Sequence, residues 1–405
     1  MATKEVFTRF KEQKEITGDQ LSEDDIFPGQ SSELKEGENE LEDFSLSYKN
    51  LKDKVTKDVL SNSEVLNEIP NASFNIIGES FLSTPSNKAD LEKFRLDYES
   101  KRFRDTLGIL KLGYRKVMTD SLGNEDMMYI IPKFNCEDLD PEGALGTGVH
   151  PAFLKNGIEV PYIAISCYES SNNGNSIPVS KYNGTPWVNI DFDNARANCL
   201  KKGKGYHLMT NWEWAAIALW NAKYGPEVSG NVSSNAAVGT GTNGVSSSHN
   251  GKADGIFDLV GNVWEWCDGL KVNGTDGDLV LTSDNNINIM TKRDDESLWL
   301  NTGIKLKNAE HNEQTHFGWY NTYKNIGKNE SKEVREMLYR ACVVPASPDY
   351  KISGKDNLSD TGERMLLRGG GWTDGANAGL GAFDLTDARS GVSTYIGFRF
   401  SFIHD

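Results

Sequence analysis

The stretch "DLVGNVWEW", residues 258–266, places two carboxylates, Asp258 and Glu265, among apolar and aromatic side chains. A carboxylate within such an apolar run needs a charged partner, backbone donors or a cation, because burying an unpaired charge is costly. The stretch therefore predicts buried electrostatic contacts, and it is the most specific short motif of the chain.

Three other motifs accompany it in a fixed order: "TNWEWAAIALW" at 210–220, "LRGGGW" at 367–372 and "IGFRF" at 396–400. This order resembles formylglycine-generating-enzyme-like (sulfatase-modifying factor) domains, a branch of the C-type lectin fold. The resemblance covers roughly residues 125–405 and implies an α+β fold, the C-type lectin fold of the formylglycine-generating-enzyme-like type, over residues 101–405. Residues of about 270–365 would form an insertion in that domain.

Residues 1–100 differ from the rest, since they contain neither Trp nor Cys and alternate acidic-polar stretches with short apolar patches. Apolar residues from Phe44 to Val59 recur at steps of three and four, which predicts one amphipathic helix. We interpret this region as a mostly helical or irregular attachment and oligomerisation arm. A helix that packs on its own chain is the alternative.

The net charge of −16 and the pI near 5.0 argue against a surface that neutralises nucleic-acid phosphates. The first residues contain no apolar run of signal-peptide type, and no stretch approaches 18 apolar residues. The five cysteines and six histidines show no metal-ligand or redox spacing, so we expect reduced core thiols. "GTGTNG" at 239–244 matches the dinucleotide-binding motif in letters, but it lies in a Ser/Asn-rich loop and not between a strand and a helix.

In the formylglycine-generating-enzyme-like family, the segment that contains the two carboxylates can bind calcium. The resemblance implies four ligands here: the side chains of Asp258 and Glu265 and the carbonyls of Gly261 and Val263. Oxygen donors of this kind suit a hard cation. The alternative is that backbone amides hold Glu265 and that Asp258 caps a turn. Apart from this calcium, no cofactor is expected.

The oxidase members of the family carry a cysteine pair between the "RGG" and "GFR" motifs. This sequence has no cysteine from 343 to 405. Cys342 precedes the "RGGGW" motif and has no second cysteine near it in the sequence. We therefore expect no enzyme activity of the oxidase type. A metal-dependent enzyme that works without the cysteine pair is an alternative.

The remaining features resemble the variable proteins of diversity-generating retroelements, many of which are phage receptor-binding proteins. "RGGGW", "GANAG" and "IGFR" match the constant frame of such proteins. Residues 373–395, which we call the framed segment, lie between the first and last of these motifs. Variable residues in this segment would be rewritten by adenine-directed mutagenesis. Each of the residues named below can be reached from an Asn codon by changing adenines only. The residues implied for ligand binding are Thr373, Asp374, Gly381, Phe383, Asp384, Thr386, Asp387, Arg389, Gly391, Val392, Ser393 and Tyr395.

Within this segment we expect Tyr395 and Phe383 to be aromatic anchors for a ligand. We expect Trp372 to pack beneath the surface, and Arg368 and Arg399 to make buried hydrogen bonds.

The resemblance implies non-enzymatic recognition of a host cell-surface protein or glycan by a phage tail or fibre protein. Such a protein would belong to the virion, be assembled in the host cytoplasm and contact other tail proteins through the arm, as a homotrimer. Neither nucleic-acid binding nor membrane insertion is expected. A bacterial surface-displayed variable protein is the main alternative.

Overall fold

The computed structural model describes residues 112–140, 142–286, 295–306, 317–318, 331–344, 352–360 and 362–404. The predicted arm over residues 1–100 lies outside these ranges, so its helix and its attachment role stay predictions. None of the helices in the described ranges combines the length and the apolar character needed to cross a membrane.

Five described strands form an antiparallel sheet in the order β1-β2-β5-β17-β8. "YRKVMTDSLGNEDMMYIIP" gives its first two strands, as the alternating pattern and the Gly-Asn turn predict. The bounds are β1 Tyr114–Thr119, β2 Glu125–Pro132, β5 Tyr162–Ser166, β8 Tyr206–Leu208 and β17 Phe400–Ile403. Two short hairpins lie beside it, β3 Leu154–Lys155 with β4 Ile158–Glu159, and β6 Ser171–Asn172 with β7 Pro178–Val179.

A second sheet has the order β11-β10-β9-β14-β15-β13-β12, and β16 pairs in parallel with β9. Its long central strand β9 begins within the "VWEW" motif, and nine of its ten residues are buried. The bounds are β9 Trp264–Asn273, β10 Asp278–Thr282, β11 Trp299–Lys305, β12 Phe317–Gly318, β13 Lys355–Leu358, β14 Arg364–Gly369, β15 Gly379–Leu385 and β16 Ile396–Phe398.

The structure describes four α-helices: α1 Cys136–Leu139, α2 Phe192–Leu200, α3 Asn211–Tyr224 and α4 Lys332–Arg340. Helices α2 and α3 pack on strands β8 and β9, respectively, whereas α1 packs on α3. Helix α3 begins with the predicted capping box, in which Thr210 and Glu213 satisfy each other's backbone amides. Trp212, Trp214 and Trp220 of this helix are all buried. Helix α3 is therefore a core helix, and α4 covers part of it.

The five cysteines are all unpaired and buried, which confirms the predicted reduced core thiols. His150, His207 and His249 are buried as well. Burial lowers the pKa of His150 and of His249 to about 3, so both rings are neutral core residues.

At the C-terminal end of the sequence, Ile396, Phe398, Phe400 and Phe402 alternate with other residues, which predicts a single strand. That prediction is wrong, because the structure has two strands here. β16 belongs to the second sheet and β17 to the first, and Arg399 lies between them, where the chain passes from one sheet to the other. All three residues of β16 and three of the four residues of β17 are buried, so neither strand has one buried and one exposed face. The pattern alone does not reveal the change of sheet.

Arg399 is fully buried and makes a bidentate ion pair with Glu265 of β9, with Nε–Oε2 and Nη2–Oε1 distances of 2.6 and 2.5 Å. Its other donors reach the carbonyls of Ser166, at the end of β5, and Phe257. One guanidinium thus joins both sheets and the segment that precedes β9. The predicted buried role of Arg399 is confirmed.

Replacing Arg399 by Met should lower the free energy of unfolding by about 3–5 kcal/mol, because Glu265 is then left buried without its cation. Urea unfolding followed by tryptophan fluorescence measures this. The double Arg399→Met/Glu265→Met variant should lose much less than the sum of the two single variants. Lys305→Met removes an ion pair at the surface and should leave stability unchanged. If Lys305→Met and Arg399→Met lowered the free energy of unfolding by equal amounts, the central role of Arg399 would be contradicted.

Candidate ligand-binding site

Three buried carboxylates, Glu169, Asp258 and Glu265, lie around the single guanidinium of Arg399. Glu169 accepts hydrogen bonds from the Asn262 side chain and, at 3.3 Å, from the backbone N–H of Val263. Burial raises the pKa of Glu169 well above its usual range, and repulsion from Asp258 and Glu265 raises it further. The guanidinium of Arg399 opposes this rise in the pKa of Glu169, because its positive charge favours the ionised carboxylate.

Asp258 adopts left-handed backbone geometry, with φ of 57°, and its carboxylate accepts hydrogen bonds from the Gly241 N–H and the Asn243 side chain. Both donors belong to "GTGTNG". This segment is a loop followed by a short 3-10 turn, so the rejection of a dinucleotide site agrees with the structure.

The four implied calcium ligands, Asp258, Gly261, Val263 and Glu265, lie in one segment, but the oxygens of Glu265 already bind Arg399. In the described ranges, no group of three or more His, Cys, Asp or Glu is arranged to hold a metal ion. The donor set does not fit a cation while this ion pair is intact. The calcium site stays a prediction of the sequence.

We expect the melting temperature to be the same in EDTA and in millimolar calcium, because Arg399 already neutralises Glu265. Differential scanning calorimetry measures this directly. A melting temperature that falls in EDTA and returns with calcium would establish the cation by mass action on the folded state. The Asp258→Asn variant would then identify the site by losing that response.

Four loop segments meet beside the start of β9: residues 187–189, 232–238, 371–377 and 391–395. We call their combined surface the four-loop face. Trp264, the first residue of β9, links two of the segments, because its N–H donates to the Tyr395 carbonyl at 2.8 Å and its ring lies against Gly371.

Further main-chain hydrogen bonds join the segments in pairs. The Asn189 N–H donates to Ser393 O at 3.0 Å, and the Ser234 N–H donates to Trp372 O at 2.9 Å. The Gly375 N–H donates to Val232 O at 2.8 Å. Because these bonds use backbone atoms, the relative position of the segments does not depend on their side chains.

Six of the twelve residues implied for ligand binding lie on the four-loop face. Tyr395 is 45% exposed and Val392 is 58% exposed, which leaves both side chains accessible to a ligand. Asp374 is partly tied down, since its carboxylate accepts a hydrogen bond from the Gly371 N–H at 2.6 Å. The six residues are Thr373, Asp374, Gly391, Val392, Ser393 and Tyr395.

Four others form a separate group near the first residue of β14 and the start of α2. Arg389 makes ion pairs with Glu363 at 2.7 Å and with Asp193 of α2 at 3.0 Å. Asp384 accepts hydrogen bonds from the backbone and the hydroxyl of Thr386. These contacts occupy the side chains with partners of their own chain. The group consists of Asp384, Thr386, Asp387 and Arg389.

The last two, Gly381 and Phe383, are buried, and the expectation that Phe383 anchors a ligand at the surface is corrected. Both belong to β15, which has a neighbouring strand on each side. Phe383 is 1% exposed and packs under the guanidinium of Arg368, 5.1 Å from the ring centre. The framed segment looks like surface in the sequence, but its middle part, Gly379–Leu385, is an interior strand.

The expectation for Trp372 is also corrected. Its side chain is only partly buried and lies within the four-loop face. Its carbonyl accepts a hydrogen bond from the Ser234 N–H, which joins it to residues 232–238. Trp372 therefore belongs to the accessible surface together with Tyr395.

Sequence reasoning missed the contribution of residues 232–238, which lie far from the framed segment in sequence. One signal was available, because residues 228–250 contain no Asp, Glu, Lys or Arg, although 25% of the chain is charged. A long uncharged loop in a charged protein indicates a surface with a purpose other than solubility.

Arg368 is buried, and its hydrogen-bond partners among the described residues are neutral oxygens, which confirms its predicted buried hydrogen bonds. Its guanidinium donates to the side-chain oxygen of Asn211 and to the carbonyls of Ala341 and Cys342. Asp356 pairs with Phe383 on the side opposite Arg368 and is 1% exposed. Within the part of the chain that the structure describes, neither of its carboxylate oxygens has a hydrogen-bond partner. Burial raises the pKa of Asp356 to about 8.

Asp356→Asn should stabilise the protein, and the gain should grow as the pH rises. A carboxyl with a folded-state pKa of about 8 and an unfolded pKa of 3.8 takes up a proton on folding, so it costs stability increasingly between these values. Melting temperatures of wild type and variant from pH 5 to pH 9 measure the difference. Asp360→Asn, which makes the same change at a partly exposed position, is the control. A constant difference across this range would contradict the buried protonated state.

The model of the sulfatase-modifying factor enzyme 1-like domain family matches residues 147–401. The match confirms the predicted fold, an α+β C-type lectin fold of the formylglycine-generating-enzyme type. No curated protein matches the chain in sequence.

Solved structures similar to this chain include three of low sequence identity. Major Tropism Determinant U1 Variant is 14% identical, with a TM-score of 0.32 and coverage of 73% of each chain. Treponema denticola variable protein 1 is 15% identical, with a TM-score of 0.33 and coverage of 71% of this chain and 98% of that one. PvdO from Pseudomonas aeruginosa is 13% identical, with a TM-score of 0.34 and coverage of 73% and 99%.

Proposed function

We propose that this chain, which belongs to the sulfatase-modifying factor enzyme 1-like domain family, binds a ligand through the four-loop face and catalyses no reaction. The observation that carries the proposal is the way the face is assembled. Main-chain hydrogen bonds hold its segments, while side chains such as Tyr395 and Val392 extend into solvent without partners that the fold requires.

Because main-chain hydrogen bonds hold the segments of the face, its exposed side chains can be exchanged without a change of fold. Gly397 belongs to the constant frame because a Cβ there would lie 3.0 Å from Val263 Cγ2 and 3.2 Å from Trp187 O. Gly379 of "GANAG" is equally constrained, since a Cβ would lie 2.2 Å from the Ser353 backbone. Residues 392–395, by contrast, are partly buried or exposed, so side chains of other sizes fit there. Gly391 is an exception, since a Cβ there would lie 3.0 Å from Ala388 O.

The state of the cysteines supports a binding role over an oxidase. The sequence has no cysteine after Cys342, and that residue is buried. Burial raises the pKa of the Cys342 thiol to about 12, so it is a neutral thiol at physiological pH. A thiol that is neither ionised nor accessible is a poor metal ligand and nucleophile.

The biological setting we propose is host attachment by a phage tail or fibre protein in the virion, with residues 1–100 as the connection to other tail proteins. A homotrimer would raise avidity by about 10²–10⁴ without new contacts at the face. Diversification by a retroelement would leave a near-copy of the codons for 368–400 beside a reverse-transcriptase gene, with adenines at the variable positions.

Tyr395→Ala and Val392→Asp should each reduce adsorption of the labelled full-length protein to the bacterial strains that it binds in a mixed panel. The reduction should be at least about tenfold, since central aromatic anchors dominate binding free energies. The melting temperature should stay within the range of ordinary surface substitutions. Flow cytometry and calorimetry on the same preparations measure both quantities.

Ile158→Ala is the matched control, because Ile158 is 71% exposed and lies in the β3–β4 hairpin away from the face. It should adsorb like wild type. If the two face variants also adsorb like wild type, the binding surface lies elsewhere and the proposal is wrong.

A further inference from the structure

The four-loop face is almost without charge. Among its residues, only Asp374 carries one, and the carboxylate of Asp374 is engaged with the Gly371 backbone. The chain as a whole carries a net charge of −16, so the neutrality of the face is local. An ionic group of a ligand would find no counter-charge here, and burying it would be costly.

The exposed polar groups of the face are amides and hydroxyls. Asn189, Asn235, Thr373 and Thr394 are exposed, and Ser393 is partly exposed. Each of these side chains offers both a donor and an acceptor. This is the set that pairs with hydroxyl groups, which also donate and accept, and it needs no fixed protonation state.

Aromatic rings supply the apolar part. Tyr395 is exposed, and Trp187 and Trp372 are partly exposed on neighbouring segments. A flat ring with a polar edge suits a ligand that has one apolar face and a hydroxyl-rich rim. A pyranose ring has this form, since its C–H groups lie on one face and its hydroxyls around the edge.

A protein partner fits the face less well. Protein surfaces are about one quarter charged or more, and a standard interface covers roughly 800 Å² on each side. Charged groups of the partner would lose water against a face that offers them no counter-charge. A neutral sugar chain incurs no such cost.

We propose that the ligand of the four-loop face is a neutral glycan, bound without calcium, and that residues 232–238 contact it together with the framed segment. This inference rests on the proposed binding function and names the ligand class. Tyr395 packs on the sugar ring, and Asn235 and Ser393 bond to its hydroxyls. Because no ion pair forms, binding is independent of salt.

The test uses the full-length protein in EDTA on a printed array in which neutral glycans stand beside their sialylated, sulfated and phosphorylated forms. We expect binding to neutral glycans, with equal signals at about 0.05 and 0.5 M NaCl. Tyr395→Ala should lower the signal at least about tenfold, whereas Tyr395→Phe should keep most of it. Asn235→Ala should lower it too, and Ile158→Ala should not.

Binding confined to the acidic forms, or loss of binding in EDTA, would overturn the inference. So would the absence of binding to any glycan. In that last case, if Tyr395→Ala still reduces adsorption to cells, the ligand is a protein and the proposed binding function stands. If Tyr395→Ala changes neither the array nor adsorption, both proposals fail.

Discussion

The bidentate contact between Arg399 and Glu265 is the constraint on which the described domain depends. Arg399 lies between β16 and β17, so it marks the point at which the C-terminal chain leaves one sheet and enters the other. Glu265 lies in the long strand β9, which adjoins β10, β14 and β16. An ion pair at this position fixes the mutual placement of two sheets, because its geometry is bidentate and no water competes for it. Its contribution is therefore one of specificity as much as of stability.

The loops of the four-loop face depend on the same point of the molecule. Trp264 precedes Glu265 directly and donates its N–H to Tyr395, so the position of β9 determines where residues 391–395 lie. A main-chain hydrogen bond between the Ser234 N–H and the Trp372 carbonyl joins two further segments of the face. The polar side chains that need specific partners, such as Arg399 and Glu265, are buried beneath the four-loop face. The exposed side chains of the face need no such partners. This separation explains how the framed segment can vary in sequence while the surrounding structure stays the same.

The sequence was informative where local chemistry determines structure. The Thr210–Glu213 capping box predicted α3, and the turn at Gly123-Asn124 between two strand-like runs predicted β1 and β2. The burial of Arg368 and Arg399 followed from their position in the frame. The placement of Phe383 and the change of sheet at Arg399 were missed, because both depend on which strands pair across long sequence distances. No local pattern states that residues 232–238 meet residues 371–377, although the missing charges of that loop were visible.

Arg368 and Arg399 are both buried, but they make different kinds of contact. Arg399 has a carboxylate partner and links two sheets, whereas Arg368 bonds to neutral oxygens and shares its row with Phe383 and Asp356. Phe383 lies between Arg368 and Asp356 in the strand register, and burial raises the pKa of Asp356 to about 8. Position 383 lies within the framed segment, yet its side chain belongs to the core and not to the accessible surface.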